Sequence, residues 1–247
     1  MGSVQESQPA VVNGVNRNAT DNRIDSHSDP RILRVGIIGC GEIAQVAHIP
    51  NINFLSEKFR ATYLCDVSKD ALLHCARKVQ NGPPRITTNA EELCASNDVD
   101  VVLIANADAF HVPHGILALK HDKYCLIEKP AALCFRDIEA LIEAERTSKG
   151  KVFVGTMRRY ATAFLDAVEE VGGIDQIQYA RVRDIIGPNS VFVGQSGTFP
   201  KKFTDFKTED IDELSRREND IVECALRDEF GVSVTPGSRR MLRLLGG

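Results

Sequence analysis

Two clusters of residues in this 247-residue chain have types and spacing that could do chemistry. The first is Gly39-Cys40-Gly41-Glu42-Ile43-Ala44, followed by a carboxylate at Asp66. Gly39 permits a tight turn. Gly41 removes a Cβ where a pyrophosphate would approach the backbone, and Ala44 is small enough for a helix to lie against a strand. A helix opening at Glu42 and Ile43 offers free N–H groups and the positive end of its dipole to phosphate. Asp66 lies 22 residues beyond Ala44, the place for a carboxylate that accepts both hydroxyls of a ribose. Together these residues suit the binding of a dinucleotide. Taken singly they have plainer readings: a glycine turn that only joins strand to helix, and a carboxylate that caps a helix. The second cluster is Glu128-Lys129-Pro130, an anion and a cation side by side before a proline that stiffens the turn.

The elements around these residues must hold them together. Residues 33–38 (LRVGII) read as a buried strand that runs into the glycine turn, and 61–65 (ATYLC) as a second strand that stops at Asp66. A helix is expected over 68–79, with Ala71, Leu72, Cys75, Ala76 and Val79 on one face, broken by Gly82-Pro83-Pro84. A short strand at 85–87, a helix at 90–95 capped by Asn89, and an unbroken apolar strand at 101–105 come next. Then come a helix at 112–121, a strand at 124–127, a helix at 135–147 and a strand at 151–154. Six strands alternating with helices predict the α/β class, a doubly wound parallel Rossmann sheet. Beyond 157 the rhythm changes. A helix at 160–171, a half-exposed strand at 177–183, an irregular stretch at 187–206, a charged amphipathic helix at 209–230 and a helix beginning near 241 are expected. The predicted organisation is a disordered tail over 1–30, a dinucleotide-binding Rossmann domain over 31–156, and a partial α+β domain over 157–247 for substrate binding or oligomer packing. Glu128-Lys129-Pro130 comes directly after the fifth strand, and ligands in such sheets bind at the carboxyl ends of the strands.

Composition narrows the partners. The net charge of −4 gives no basic footprint, which argues against nucleic acid. No apolar run approaches membrane-spanning length. The seven cysteines show no C-x-x-C spacing and several lie in apolar runs, a pattern that suits a reducing, cytoplasmic compartment. Residues 1–30 lack the apolar segment of a secretory signal.

With both clusters in view, the chain resembles the Gfo/Idh/MocA oxidoreductases, NAD(P)-dependent dehydrogenases of sugars, cyclitols and related compounds. The resemblance is carried by residues 35–44, 100–111 and 124–130, and by Val154-Gly155-Thr156-Met157-Arg158-Arg159-Tyr160. It implies that Gly39, Gly41, Glu42, Ile43 and Ala44 hold the pyrophosphate and Asp66 the adenosine ribose. It implies that Asn106 to His111 lie along the nicotinamide half and that Glu128 contacts the cofactor end of the site. Lys129 would orient substrate and nicotinamide and assist proton transfer, and Arg159 would stand where the chain enters the second domain. Met157 departs from the Asn often found in the family. The implied cofactor is NAD, with NADP possible. Asp66 would repel a 2′-phosphate, whereas Lys69 could neutralise one. The implied substrate is a small polyol, sugar or cyclitol, and both a monomer and a homo-oligomer fit the sequence. Plainer roles stand beside these: a solvated strand-end lysine for 129, a helix-capping or helix-lining histidine for 111, a packing histidine for 114, and surface charge for Arg158 and Arg159.

One expected part is absent. Family members draw a proton-accepting histidine from the second domain, but the six histidines here are His27, His48, His74, His111, His114 and His121. Three readings are open: a family member truncated at its C-terminus, an enzyme that uses Lys129 with Tyr160 or Tyr179, or a non-catalytic NAD-binding sensor or partner subunit. A Rossmann domain for another nucleotide such as SAM is a fourth reading, against which Glu128-Lys129-Pro130 argues.

Overall fold

In the computed structural model, residues 31–183 and 187–246 are described. The tail expected over 1–30 lies outside them. Six parallel strands form one sheet: β1 (Leu33–Ile38), β2 (Phe59–Cys65), β3 (Arg85–Thr87), β4 (Val101–Ile104), β5 (Tyr124–Ile127) and β6 (Val152–Val154), in the order β3-β2-β1-β4-β5-β6. This is the doubly wound arrangement, with its switch point between β1 and β4.

The helices arise from local chemistry. After β1 the chain winds through a π-helical turn at Ala44–His48 into α1 (Ile49–Phe54), with a proline in its first turn. The Ser68 hydroxyl caps α2 (Lys69–Ala76) by accepting from Ala71 N at 2.9 Å, and Asn89 caps α3 (Ala90–Ala95) by accepting from Glu91 N at 3.0 Å. α4 (His111–Lys120) and α5 (Phe135–Thr147) complete the alternation. Successive β1 side chains point to opposite faces. Val35 and Ile37 pack with Ile49, Leu64, Leu72 and Cys75 on one side, while Ile38 packs with Leu93, Val102, Val112 and Leu141 on the other. All seven cysteines are free and buried, filling apolar space.

Beyond β6 the described residues form helices: α6 (Thr162–Val171), α7 (Asn189–Gln195), α8 (Thr208–Glu223) and α9 (Pro236–Gly246). α8 continues through a π-helical turn at Cys224–Glu229, as the charged amphipathic pattern predicted. Its apolar stripe, with Ile221, Cys224 and Ala225, packs on Ala109 and Cys134. The Glu229 carboxylate accepts from Phe135 N and Arg136 N at 2.9 and 2.8 Å, capping α5. The strand expected at 177–183 does not form. Among the described residues the segment has no strand partner, and Ile177, Tyr179 and Val182 are exposed. Alternation describes one face of a strand but does not supply the neighbour whose backbone must complete the ladder. No helix among the described residues is long and apolar enough to cross a membrane.

Candidate dinucleotide and substrate site

The parallel ladder sets the functional loops in line. Past the end of each strand, Gly39 N donates to Cys65 O, Ala105 N to Ile38 O, Glu128 N to Ile104 O and Gly155 N to Ile127 O, at 2.8–2.9 Å. The glycine turn, Asn106 and Glu128-Lys129-Pro130 therefore leave the sheet along one carboxyl edge.

Gly39 and Gly41 differ in what surrounds them. Gly39 has φ +100°, and a Cβ there would stand 2.5 Å from Asn106 N and 2.6 Å from Ala105 C. The loops after β1 and β4 touch at this point, at the switch point of the sheet. A Cβ on Gly41 would meet nothing within 4 Å. The open space lies over the start of the helical turn, beside the exposed Ile43, and suits a phosphate group drawn to the first N–H groups. Ala44 is fully buried in the β1–α1 packing.

Asp66 ends β2 with both carboxylate oxygens already fixed. Oδ2 accepts from Cys40 N at 2.7 Å and Oδ1 from Ser68 N at 2.8 Å. Burial pushes its pKa up, and these two backbone bonds oppose the rise. Each carboxylate oxygen keeps a further lone pair, so the group can hold the turn and still accept a hydroxyl.

His111 is buried at the start of α4. Its Nδ1 lies 2.7 Å from Pro130 O and its Nε2 3.1 Å from Asn106 O. Both ring nitrogens face backbone carbonyls, so the ring ties the Asn106 loop to the Lys129-Pro130 turn. This geometry makes His111 a positioning residue for the two loops. The Asn106 amide nitrogen lies 3.0 Å from His114 Nδ1, and Asn106 Oδ1 is buried without a hydrogen-bond partner among the described residues.

Glu128 pairs with a residue that the motifs do not include. His48 Nε2 lies 2.8 Å from Glu128 Oε1, both side chains being mostly buried. Burial works against the Glu128 charge, but the His48 hydrogen bond, the His48 charge and the Lys129 backbone hold its pKa below the usual carboxylate value. Lys129 is exposed and comes directly after Glu128, and the Lys129–Pro130 bond is cis. Arg159 is exposed, with its guanidinium 5.8 Å from the Tyr160 ring centre. Tyr160 stacks with Phe153, and Tyr179 is solvent-exposed.

Two further polar residues support the turn. The fully buried Gln45 donates to Cys40 O and to Lys201 O, each at 3.0 Å, and accepts from Lys201 N at 2.9 Å. Glu42 Oε1 accepts from Asn189 Nδ2 at 2.9 Å. Gln45 is not singled out in the sequence, and its partner lies 156 residues away.

His114 provides a test of this packing. Burial, then the charges of Arg217 and His111, push its pKa down to about 4 from 6.5. Between those values the unfolded chain binds a proton that the folded chain does not. Stability is therefore full above pH 6.5 and is lost as pH falls towards 4. Between pH 8 and pH 5 the native protein is expected to lose roughly 2 kcal/mol more than His114→Gln does. Urea unfolding of both proteins measures the difference, and equal losses would refute the assignment.

Residues 33–156 match the Gfo/Idh/MocA family model, described as an oxidoreductase family with an NAD-binding Rossmann fold. The chain is 31% identical over 200 residues to the inositol 2-dehydrogenase/D-chiro-inositol 3-dehydrogenase of Shouchella clausii, covering 76% of this chain and 54% of that protein. It is 27% identical over 184 residues to the myo-inositol 2-dehydrogenase of Thermotoga maritima, covering 73% and 53%. The chain thus spans about half the length of these relatives. The crystal structure of the myo-inositol dehydrogenase from Lactobacillus casei, in complex with NAD(H) and myo-inositol, shares the fold at 24% identity. The TM-score is 0.54, over 57% of this chain and 42% of that one.

Proposed function

Because this chain belongs to the Gfo/Idh/MocA oxidoreductase family, with its NAD-binding Rossmann fold, we propose that it carries the dinucleotide half of a dehydrogenase acting on a secondary alcohol of a cyclitol- or sugar-like substrate. The observation that carries this reading is the line of loops at the carboxyl edge. The glycine turn with open space at Gly41, the fixed Asp66 carboxylate and the Glu128-Lys129 pair leave the parallel strands β1, β2 and β5 there. When bound, NAD supplies a nicotinamide carbon that accepts or returns hydride.

The chain's own residues would do the rest. Gly39 and Gly41 with the first N–H groups of the helical turn hold the pyrophosphate, flanked by Glu42, Ile43 and Ala44. Asp66 accepts the adenosine ribose hydroxyls. Glu128, kept charged by His48, sets the turn that presents Lys129. Lys129 would donate to the substrate oxygen, hold the alcohol in place and ease loss of the hydroxyl proton to water, while the carbon's hydride goes to the bound NAD and the alcohol becomes a ketone. Arg159, at the entrance to the second domain, would face the substrate. Inositols are the first substrates to try, since the Shouchella and Thermotoga relatives are named for them.

The full chain, given NAD and a panel of inositols and aldoses, is expected to produce NADH. Lys129→Ala should lower kcat by about a hundredfold. No rate with any polyol, from protein that binds NADH, would sink the dehydrogenase reading and leave a non-catalytic cofactor-binding protein.

A further inference from the structure

A strap from the distant part of the chain lies against the adenosine end of the proposed cofactor site. It runs over Thr198–Asp205 and is held at four points. Lys78 Nζ donates to Thr198 O at 3.1 Å. The buried Gln45 side chain bonds both N–H and C=O of Lys201. Phe203 packs on the first core cluster and sits with its ring 5.5 Å from that of His74. Asp205 ends the strap with its carboxylate on the start of α2. Oδ1 accepts from Ser68 Oγ at 2.5 Å and Oδ2 from Asp70 N at 3.1 Å.

The location gives the last contact a consequence. Ser68 and Asp70 open the helix that begins just beyond Asp66, the carboxylate at the end of the second strand. In dinucleotide-binding folds that end of β2 receives the ribose 2′ position, either as a hydroxyl on an acid or as a phosphate on a cation. A 2′-phosphate there would need donors such as the Ser68 hydroxyl, the first N–H groups of α2 and Lys69. Asp205 already holds the hydroxyl and the Asp70 N–H. It also places a second negative charge beside Asp66, where it adds to the upward push on the Asp66 pKa.

We propose that Asp205 is a specificity residue for the cofactor: it fills the anion-binding donors beside Asp66, so the site accepts NAD and rejects dinucleotides that carry a 2′-phosphate. This inference rests on the NAD-binding reading above. It removes the ambiguity left by Lys69, because the donors that would act with Lys69 on a phosphate are taken. Discrimination here works through an occupied donor set and like-charge repulsion, and a ribose with a free 2′-hydroxyl meets neither.

The test compares two dinucleotides and two fragments on the full chain. NADH and NADPH are titrated by the emission of the bound nicotinamide, against a chain without tryptophan. ADP and 2′,5′-ADP are then used as competitors. The native protein is expected to prefer NADH by at least about thirtyfold, and ADP over 2′,5′-ADP in the same sense. In Asp205→Ser the preference should shrink by about tenfold or more. The change should come through tighter NADPH binding, with NADH affinity within about threefold of native. Asp205→Glu, which keeps the charge, should restore the preference. Circular dichroism checks that each variant is folded. If Asp205→Ser weakens both dinucleotides equally, Asp205 only pins the strap and the inference is overturned. Native protein that binds NADPH as well as NADH also overturns it. Folded native protein that binds neither overturns the NAD-binding reading itself, and the specificity claim with it.

Discussion

Gly41→Val is expected to remove dinucleotide binding and leave the protein folded. Chain neighbours aside, a Cβ at this position meets no atom of the described residues within 4 Å, and its backbone is not in the left-handed region. The new side chain should therefore cost the fold little beyond a β-branched residue at a helix start, a few tenths of a kcal/mol. The same methyl groups would fill the space through which a pyrophosphate approaches the first N–H groups. Losing two charge-assisted hydrogen bonds at about 2 kcal/mol each weakens binding by about a thousandfold. NADH titration by nicotinamide emission gives the affinity, and a thermal melt gives the stability. A variant that melts like the native protein and shows no saturable NADH binding is the expected pair of results. Unchanged affinity would mean that the cofactor does not pass over Gly41, and the site would have to be redrawn.

How much of this was legible in the sequence depends on distance along the chain. The strand-turn-helix at 33–54 and the acid at Asp66 are local patterns, and each side chain's role is set by neighbours within one βαβ unit. The apolar run at 101–105 and the turn at 128–130 were readable for the same reason. A buried parallel strand has a continuous apolar signature, and the loop after it must lie at the carboxyl edge. His48 was harder. It lies four residues beyond Ala44, and nothing local says that its ring will meet Glu128, 80 residues later. His111 was readable as a residue of the Asn106 loop. Its buried ring bridging two backbone carbonyls was not, because one of them belongs to Pro130. Asp205 carried no signal at all. It is one acid in the polar run Lys201-Lys202-Phe203-Thr204-Asp205, and its partner Ser68 is 137 residues away. The strand expected at 177–183 belongs with these: its alternation is real, but a strand exists only with a partner.

The first glycine of the motif should behave in the opposite way, and Gly39→Ala is expected to unfold or strongly destabilise the protein. Gly39 has φ +100°, which an L side chain rarely adopts. Its Cβ would be forced against the Ala105–Asn106 peptide at 2.5–2.7 Å, and that peptide cannot step aside. Gly39 N is bonded to Cys65 O and Ala105 N to Ile38 O, so any retreat breaks the ladder on one side of β1 or the other. Backbone strain and overpacking together suggest a loss of roughly 3–5 kcal/mol, a large part of a typical domain's stability. Urea unfolding measures it directly. If the variant proves soluble and folded, its NADH affinity should also fall, because the turn that sets the helix start has moved. Gly41→Val should change affinity and spare stability, whereas Gly39→Ala should change stability first. A cofactor motif in which both substitutions cost only stability would be a structural turn, and a motif in which Gly39→Ala cost nothing would contradict the contact between the β1 and β4 loops. The contrast therefore separates the two jobs of the motif: building the switch point of the sheet, and leaving room there for a ligand.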